Sequence, residues 1–339
     1  MPEKLNGWFE KKFKDFSIGD FLIKNALIII LIIMAIVAAI YNGNFVSANN
    51  FKNISINFSA RFLIALGVSG CLITRGTDLS AGRMAGLGAC IAGTLLQTSD
   101  YAQKFFPNLG DVPILAVFVL AMVICGFFGL INGIVVSYLK VPPFIATLGT
   151  QTIVYGACQL YSPMPLGGYR KDYTALSSTF FLGNSIPLFI VIAALVGAFM
   201  WFLYNKTRHG KYMYAIGGNE TAAEVSGVNV SKTLIIIYTL AGLLYAAGGV
   251  LLGAKAGGAT VNTGYGYELE AIASCTIGGV STTGGIGKIS GIVIGVLVFE
   301  FLKTSMQFLG INPAVQYIIQ GVVIILAVAL DLRKYLAKK

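Results

Sequence analysis

The sequence predicts an all-α integral membrane protein of about ten transmembrane helices, with both termini in the cytoplasm. Three observations lead there. Hydrophobic residues make up 56% of the 339 residues and charged ones only 11%, against roughly 25% charged in soluble domains. Apolar windows that cross or nearly cross a bilayer recur along the chain. No polar stretch between them is long enough to bury a core of its own.

The windows fall near 22–41, 58–75, 79–98, 113–139, 143–161, 186–204, 232–254, 267–281, 284–306 and 314–332. Those after Asp78 and around 267–306 are rich in glycine and suit broken half-helices as well as full spans. The 41 glycines fit close helix packing through small residues. Ahead of the first window, Leu5, Trp8, Phe9, Phe13 and Phe16 recur at helical spacing, with Lys11, Lys12 and Lys14 mostly off that stripe. Residues 1–21 are therefore expected as a cytoplasmic interfacial amphipathic helix, not a cleaved signal peptide, because no small-residue cleavage motif follows. Residues 22–332 form one transmembrane domain, and 333–339 a basic cytoplasmic tail.

The net charge of +10 sits at the ends of apolar segments. There it sets orientation and touches anionic membrane lipid; it forms no face for nucleic acid. With the N-terminus inside, most of the 24 lysines and arginines fall on the cytoplasmic side, in line with the positive-inside rule. That places the long polar island 205–232 in the cytoplasm. Cys71, Cys90, Cys125, Cys158 and Cys275 lie unpaired in apolar or small-residue runs, which reads as core packing and not as a disulfide framework or zinc site. No metal site is expected.

The first polar break is Gly76-Thr77-Asp78-Leu79-Ser80-Ala81-Gly82-Arg83. Asp78 or Ser80 would cap a restarted helix. Thr77, Asp78 and Ser80 then read either as a gate lining a cavity or as a cytoplasmic turn with Arg75 and Arg83 at the surface. In the fifth window Thr147, Gln151, Tyr155 and Gln159 recur every four residues and share one helix face. Gln316 and Gln320 do the same in the tenth. These groups either line a translocation path for a hydroxyl-rich solute or bond neighbouring helices.

The island 205–232 holds a short capped helix. Asn219 is a good N-cap, Glu220 favours the helix dipole, and Gly227 suits a left-handed C-cap. Such a helix is far below the roughly 12–15 residues needed for marginal stability alone, so its own spans or a partner must hold it. Ala222, Ala223 and Val225 offer a small, smooth face for docking; an ordinary connector is the plainer reading. Near the C-terminus Glu268, Glu270 and Glu300 lie at or near membrane depth. Glu300 has Lys303 one turn away and is expected to be ion-paired, although lone carboxylates there would suit proton coupling.

Catalysis is not expected. Gly284-Gly285-Ile286-Gly287-Lys288-Ile289 lacks the first glycine and the Ser/Thr of a phosphate loop. His209 is the single histidine, so neither a metal cluster nor a nucleophile–histidine pair can be assembled.

Several stretches in fixed order resemble the sugar-importer ABC permeases of the ribose and galactoside group. They are Arg61 to Gly70, Thr77-Asp-Leu-Ser-Ala-Gly-Arg83, Gly129-Leu-Ile-Asn-Gly133, Thr147-Leu-Gly-Thr150, Asn205 to Gly210, Ala215 to Gly227 and Gly278-Gly-Val-Ser281. Within that group, Thr77–Arg83 and the ending Gln316–Gln320 with Ala327–Asp331 are most similar to galactose/methyl-galactoside members. The resemblance covers nearly the whole chain. It implies a second permease copy, an ABC ATPase that binds ATP and Mg, and a periplasmic or lipid-anchored sugar-binding protein, all in the bacterial inner membrane. It implies no cofactor in this chain. Asn219, Glu220, Ala222, Ala223, Glu224 and Gly227 would then form the ATPase-coupling helix, with Thr221 departing from the family's acidic–Ala–Ala register. The cargo would be a small neutral sugar, galactose or methyl galactoside, moved by alternating access. Another sugar such as ribose, or a nucleoside, or an ion-coupled secondary sugar carrier, are the alternatives.

Overall fold

Each of the ten apolar windows is met by a helix in the computed structural model, which describes residues 26–182 and 185–336. The interfacial helix expected over 1–21 lies outside those residues, as does the end of the basic tail. In order, the chain forms α1 (Ala26–Tyr41), a 3-10 turn (Gly43–Val46), α2 (Ala48–Ile73), α3 (Ala81–Leu95), α4 (Ile114–Ser137) and α5 (Pro143–Tyr161). A short α6 (Lys171–Ala175) and a two-residue hairpin, β1 (Phe180–Phe181) with β2 (Ile186–Pro187), lead into α7 (Leu188–Lys206). Then come α8 (Arg208–Gly218), α9 (Glu220–Val225), α10 (Val230–Ala256), α11 (Tyr267–Ile277), α12 (Ile289–Phe308) and α13 (Pro313–Leu336). The tail expected from residue 333 thus begins inside α13.

Among the described residues, α2, α4, α7, α10 and α12 are long and apolar enough to cross a membrane. The glycine-rich windows give shorter pieces: α3 has 15 residues and α11 has 11. At 1.5 Å per residue these reach about 22 Å and 17 Å, short of a hydrocarbon core of about 30 Å.

The bundle is built around α10, which packs against α4, α2 and α3. Small residues allow the approach. A Cβ on Gly249 would lie 1.9 Å from the Ala85 carbonyl oxygen, and one on Gly129 2.2 Å from that of Tyr238, so backbones touch at both crossings. On the outside, α4 exposes Leu115, Val119, Val123 and Phe127, and α7 exposes Leu195, Phe199 and Phe202. An apolar rim of that kind suits lipid, not water. The five cysteines are free and buried.

Three helices are tied through charge. Arg61 of α2 pairs with Glu300 of α12, and its Nε lies 3.4 Å from Glu270 Oε2 of α11; Lys303 Nζ of α12 lies 2.7 Å from Glu270 Oε1. Glu300 was expected to pair with Lys303 along its own helix. Instead each residue reaches across to a different helix. Two cations thereby meet two carboxylates inside the bundle, which offsets their desolvation.

The two ends of the bundle are distinct. Phe45 meets Phe308 edge-on at 5.5 Å, and Lys52 lies 5.0 Å over the Phe180 ring. Backbone bridges join Gln97 to Tyr169 and Leu166 to Ala259. The loops near 42–57, 96–112, 162–182 and 307–313 therefore gather at one end. At the other end stand α8 and α9.

Candidate functional site

The helix pair α8–α9 is the part of the polar island with the clearest local logic. Thr207 caps α8 through its side chain, accepting from Gly210 N at 3.2 Å. Met213, Ile216 and Gly217 turn inward from α8, so the island holds an amphipathic helix that the glycines at 210, 217 and 218 had disguised. Asn219 Oδ1 accepts from Ala222 N at 3.0 Å, as the sequence anticipates. Gly227 has φ of 83°, and Val228 N donates to Ala223 O at 3.0 Å, the closing bond of a left-handed helix end. Ala223 is buried against its own chain, whereas Glu220, Ala222 and Glu224 are exposed and Val225 is 85% exposed. The exposed face of α9 therefore holds Val225 with the acidic residues, and the expected face of Ala222, Ala223 and Val225 is split, because Ala223 turns inward and seats the helix. Burial holds the His209 imidazole below its ordinary range, so it is neutral at pH 7.

The pair is bolted to the bundle. Arg75, in a left-handed conformation (φ 64°), donates from Nε to Gly217 O at 2.8 Å and from Nη2 to Gly218 O at 2.5 Å. These are carbonyls of the last turn of α8, where a cation is favoured. A Cβ at Gly217 would lie 1.8 Å from Ile73 O, so only glycine fits there. Gly285 N donates to Ile73 O at 2.8 Å, Tyr214 OH to Gly287 O at 2.8 Å, and Thr282 N and Oγ1 to Asp331 Oδ2, both at 3.1 Å. The 281–287 loop, a poor phosphate loop in sequence, is thus a hub joining α2, α8, α12 and α13. At the foot of α9 a cavity of about 220 Å³ is lined by Arg75, Lys140, Pro142, Glu220 and Tyr238. Lys140 lies 3.6 Å from Glu220.

In the break between α2 and α3, Asp78 and Ser80 are both 0% exposed, Thr77 and Leu79 are half-buried, and Arg75 is exposed. Asp78 Oδ1 accepts from Ser80 N at 2.9 Å and Ser80 Oγ at 2.5 Å; Tyr245 OH donates to Asp78 Oδ2 at 3.1 Å. Asn132 Nδ2 donates to Ser80 Oγ at 3.2 Å, and Thr150 Oγ1 to Asn132 Oδ1 at 2.5 Å. Thr147 Oγ1 donates to Thr77 O at 3.0 Å and accepts from Leu79 N at 3.1 Å. The Asp78 and Ser80 side chains and the Thr77 and Leu79 backbone groups of this unwound segment thus find partners on α4, α5 and α10, as dry surroundings demand.

Removing the hub of that network should be costly. Asp78→Ala leaves Tyr245 OH and the Ser80 N–H without an acceptor, at about 1–3 kcal/mol each. The expected result is a clear fall in thermal midpoint in detergent; a shift below about 2 °C would mean that the network does not hold the break.

Thr147 thereby leaves the α5 stripe, and the rest of the stripe remains. Gln151 and Tyr155 are half-buried, and Gln159 is exposed and donates to Tyr155 OH at 3.0 Å. Facing them is Arg83 of α3, which sequence reasoning put at the cytoplasmic surface. It is buried, with its guanidinium carbon 4.2 Å from the Tyr155 ring centroid and 5.0 Å from that of Tyr265, and it donates to Val261 O at 2.9 Å. Glu268 of α11 packs on Gly82, and its buried Oε2 has no hydrogen-bond partner among the described residues. Gln316 instead donates to Ile311 O at 2.8 Å, at the start of its own helix, and Gln320 is buried on α13, which packs on α11. The two amide stripes lie on helices with different neighbours, since α5 packs on α3 and α4.

Residues 50–328 match the family model described as branched-chain amino acid transport system / permease component. The chain belongs to this permease family. It is 44% identical over 94% of its length to the galactose/methyl galactoside import permease protein MglC of Haemophilus influenzae, covering 97% of that protein. With the protein of the same name from Escherichia coli it shares 45% over 95% of this chain and 98% of the relative. The ribose import permease RbsC of Bacillus subtilis is 36% identical over 90% of this chain and 91% of the relative. No solved structure matches. This permease is thus a multi-pass protein of the bacterial inner membrane.

Within the permease, Arg75, Arg83 and Tyr265 hold positions that sequence reasoning did not single out, whereas Glu268 was already noted as a carboxylate near membrane depth. Arg83 did carry a signal. An arginine two residues into a glycine-rich apolar helix must find partners inside the membrane, and such residues line functional paths. Arg75 carried none, because its partners lie 142 and 143 residues away in the chain.

Proposed function

We propose that this permease is the membrane subunit of an ATP-driven, binding-protein-dependent importer of galactose or methyl galactoside. The observation that carries the proposal is the near full-length identity to galactose/methyl galactoside import permeases, 44–45%, against 33–36% for ribose import permeases. A separate ATPase hydrolyses ATP, and this chain transmits the motion. Two copies form the path; α1, α2, α4, α5, α7, α10, α12 and α13 cross the membrane as helices, α3 and α11 cross it together with their flanking non-helical segments, and both termini face the cytoplasm. The loops gathered at the far end receive the loaded binding protein.

Coupling runs through α9. The ATPase grips the exposed face of Glu220, Glu224 and Val225. Movement of α8 and α9 then acts on Arg75 and Ile73 at the end of α2 and on the hub loop at the start of α12. Those contacts are short, stiff and shared, so a shift of the pair reorients two spanning helices together. The solute passes along Gln151, Tyr155 and Gln159, with Arg83 and Tyr265 beside them, while the 77–80 break forms the gate. The buried pairing of Glu300 with Arg61 disfavours the ion-coupled alternative, since that carboxylate already has its cation.

The first test is purification of the chain from its native membrane in mild detergent. An ABC ATPase is expected to accompany it, and substitutions at Asn219 and Glu220 are expected to release that ATPase. A chain that purifies alone and moves sugar in liposomes under an ion gradient would overturn the proposal.

A further inference from the structure

At the end of the bundle away from α8 and α9, the start of α2 and the ends of α10 and α12 line an open cleft of about 540 Å³. That lies within the roughly 300–1,000 Å³ of small-molecule sites. Along one wall Asn49, Asn53 and Asn57 stand four residues apart, on one face of α2. Lys255, at the end of α10, pairs with Asn57 Oδ1. Thr304 and Gln307 of α12 supply the opposite wall, and among the described residues no carboxylate lines the cleft.

This composition is not what a wet helix end requires. Asparagine inside a helix costs up to about 0.7 kcal/mol relative to alanine, and Lys or Glu would solvate the same surface without that cost. Neighbouring asparagines Asn42 and Asn50 have local duties at the turn before α2: Asn50 Nδ2 donates to Phe45 O at 2.7 Å, and Asn42 Oδ1 accepts from Asn44 N at 3.1 Å. Asn49 and Asn53 are exposed and their side chains make no hydrogen bond among the described residues. Each amide offers both donors and an acceptor, and side chains one turn apart are about 5–6 Å from each other. A neutral polyhydroxylated ring presents successive hydroxyls that each donate and accept, at comparable separations. An apolar amino acid would find no matching groups here, and a dication, although amide oxygens can ligate it, would meet Lys255 with no carboxylate to balance its charge.

We propose that this amide-lined cleft is a receiving site for a neutral monosaccharide, occupied before the solute reaches the α5 stripe. The inference rests on the importer reading, because only that reading makes this end of the bundle the entrance.

The test is equilibrium binding of tritiated methyl β-galactoside to the full chain in lipid nanodiscs, beside uptake by cells carrying the same variants. Asn53→Leu and the double variant N49L/N53L are expected to weaken binding by about tenfold or more, as loss of a hydroxyl-bonding group does, and to raise the KM of uptake. Asn53→Gln, which keeps the amide, is expected to retain most of the affinity, and leucine is expected not to compete. Galacturonate should compete no better than galactose; if it competes much better, Lys255 governs the site and the neutral-sugar assignment is overturned. If wild-type cells import the sugar while binding and uptake ignore Asn53, the cleft proposal falls and the importer reading stands. If binding depends on Asn53 while wild-type cells import no sugar, the importer reading falls and the cleft remains a sugar site.

Discussion

Replacing Val225 by arginine is expected to bring ATP-driven uptake to background without unfolding the chain. Val225 is 85% exposed on α9, a helix of six residues that owes its shape to the Asn219 cap, the Gly227 turn and the Ala223 plug. None of those three involves the Val225 side chain, so the variant keeps the helix. Burial of a valine in a partner's groove contributes about 1.5–3 kcal/mol, and an arginine forced into the same groove adds the cost of desolvating an unpaired charge. Together these loosen the dock by at least about a hundredfold, using 1.4 kcal/mol per factor of ten. The measurement is methyl galactoside uptake together with ATPase co-purification, with Val225→Ile as the control that should keep both. Wild-type uptake by Val225→Arg would show that the outer face of α9 is not the dock. Ala223 is a poor probe of the same question, because a bulky residue there disrupts the seat of the helix whatever α9 touches.

Arg61→Leu carries the largest expected effect on stability. The arginine pairs with both Glu270 and Glu300, whose side chains are 11% and 1% exposed. Its removal leaves Lys303 as the sole cation among two carboxylates, and breaking a buried pair in this way costs about 3–5 kcal/mol. The double variant R61L/E300Q should be more stable than R61L alone, since it leaves a neutral Lys303–Glu270 pair. That sign of non-additivity is what coupled residues show, and thermal unfolding of the purified chain in detergent reads it directly. Simple additivity of the two substitutions would mean that Arg61 and Glu300 do not interact.

The helix inventory could be read from the chain because its cause is local and unforgiving. In hydrocarbon a backbone has no partner but itself, so a long apolar run must be a helix. Capping is local too, which is why Asn219 and Gly227 were placed correctly as the two ends of α9. The amphipathic α8 was missed because its inward face is built partly from Gly210 and Gly217, which carry no hydrophobic signal. The α5 stripe was legible as a face, but periodicity cannot say what a face meets. Thr147 turns to the 77–80 break, while Tyr155 meets both Gln159 and Arg83.

By itself, then, the sequence determined that the chain is helical, embedded in the membrane, and supplied with a short capped helix on a basic polar island. It also carried, in several stretches in fixed order, the resemblance that the family match bears out. Only the tertiary structure decided which polar groups meet: Arg83 with Val261 across 178 residues, Tyr245 with Asp78 across 167, Arg75 with Gly217 across 142. Inside a bilayer every buried polar group must find a partner, but the identity of that partner depends on which helices pack together. Packing is set by small residues and shape along whole helices, and no local stretch of sequence contains that information.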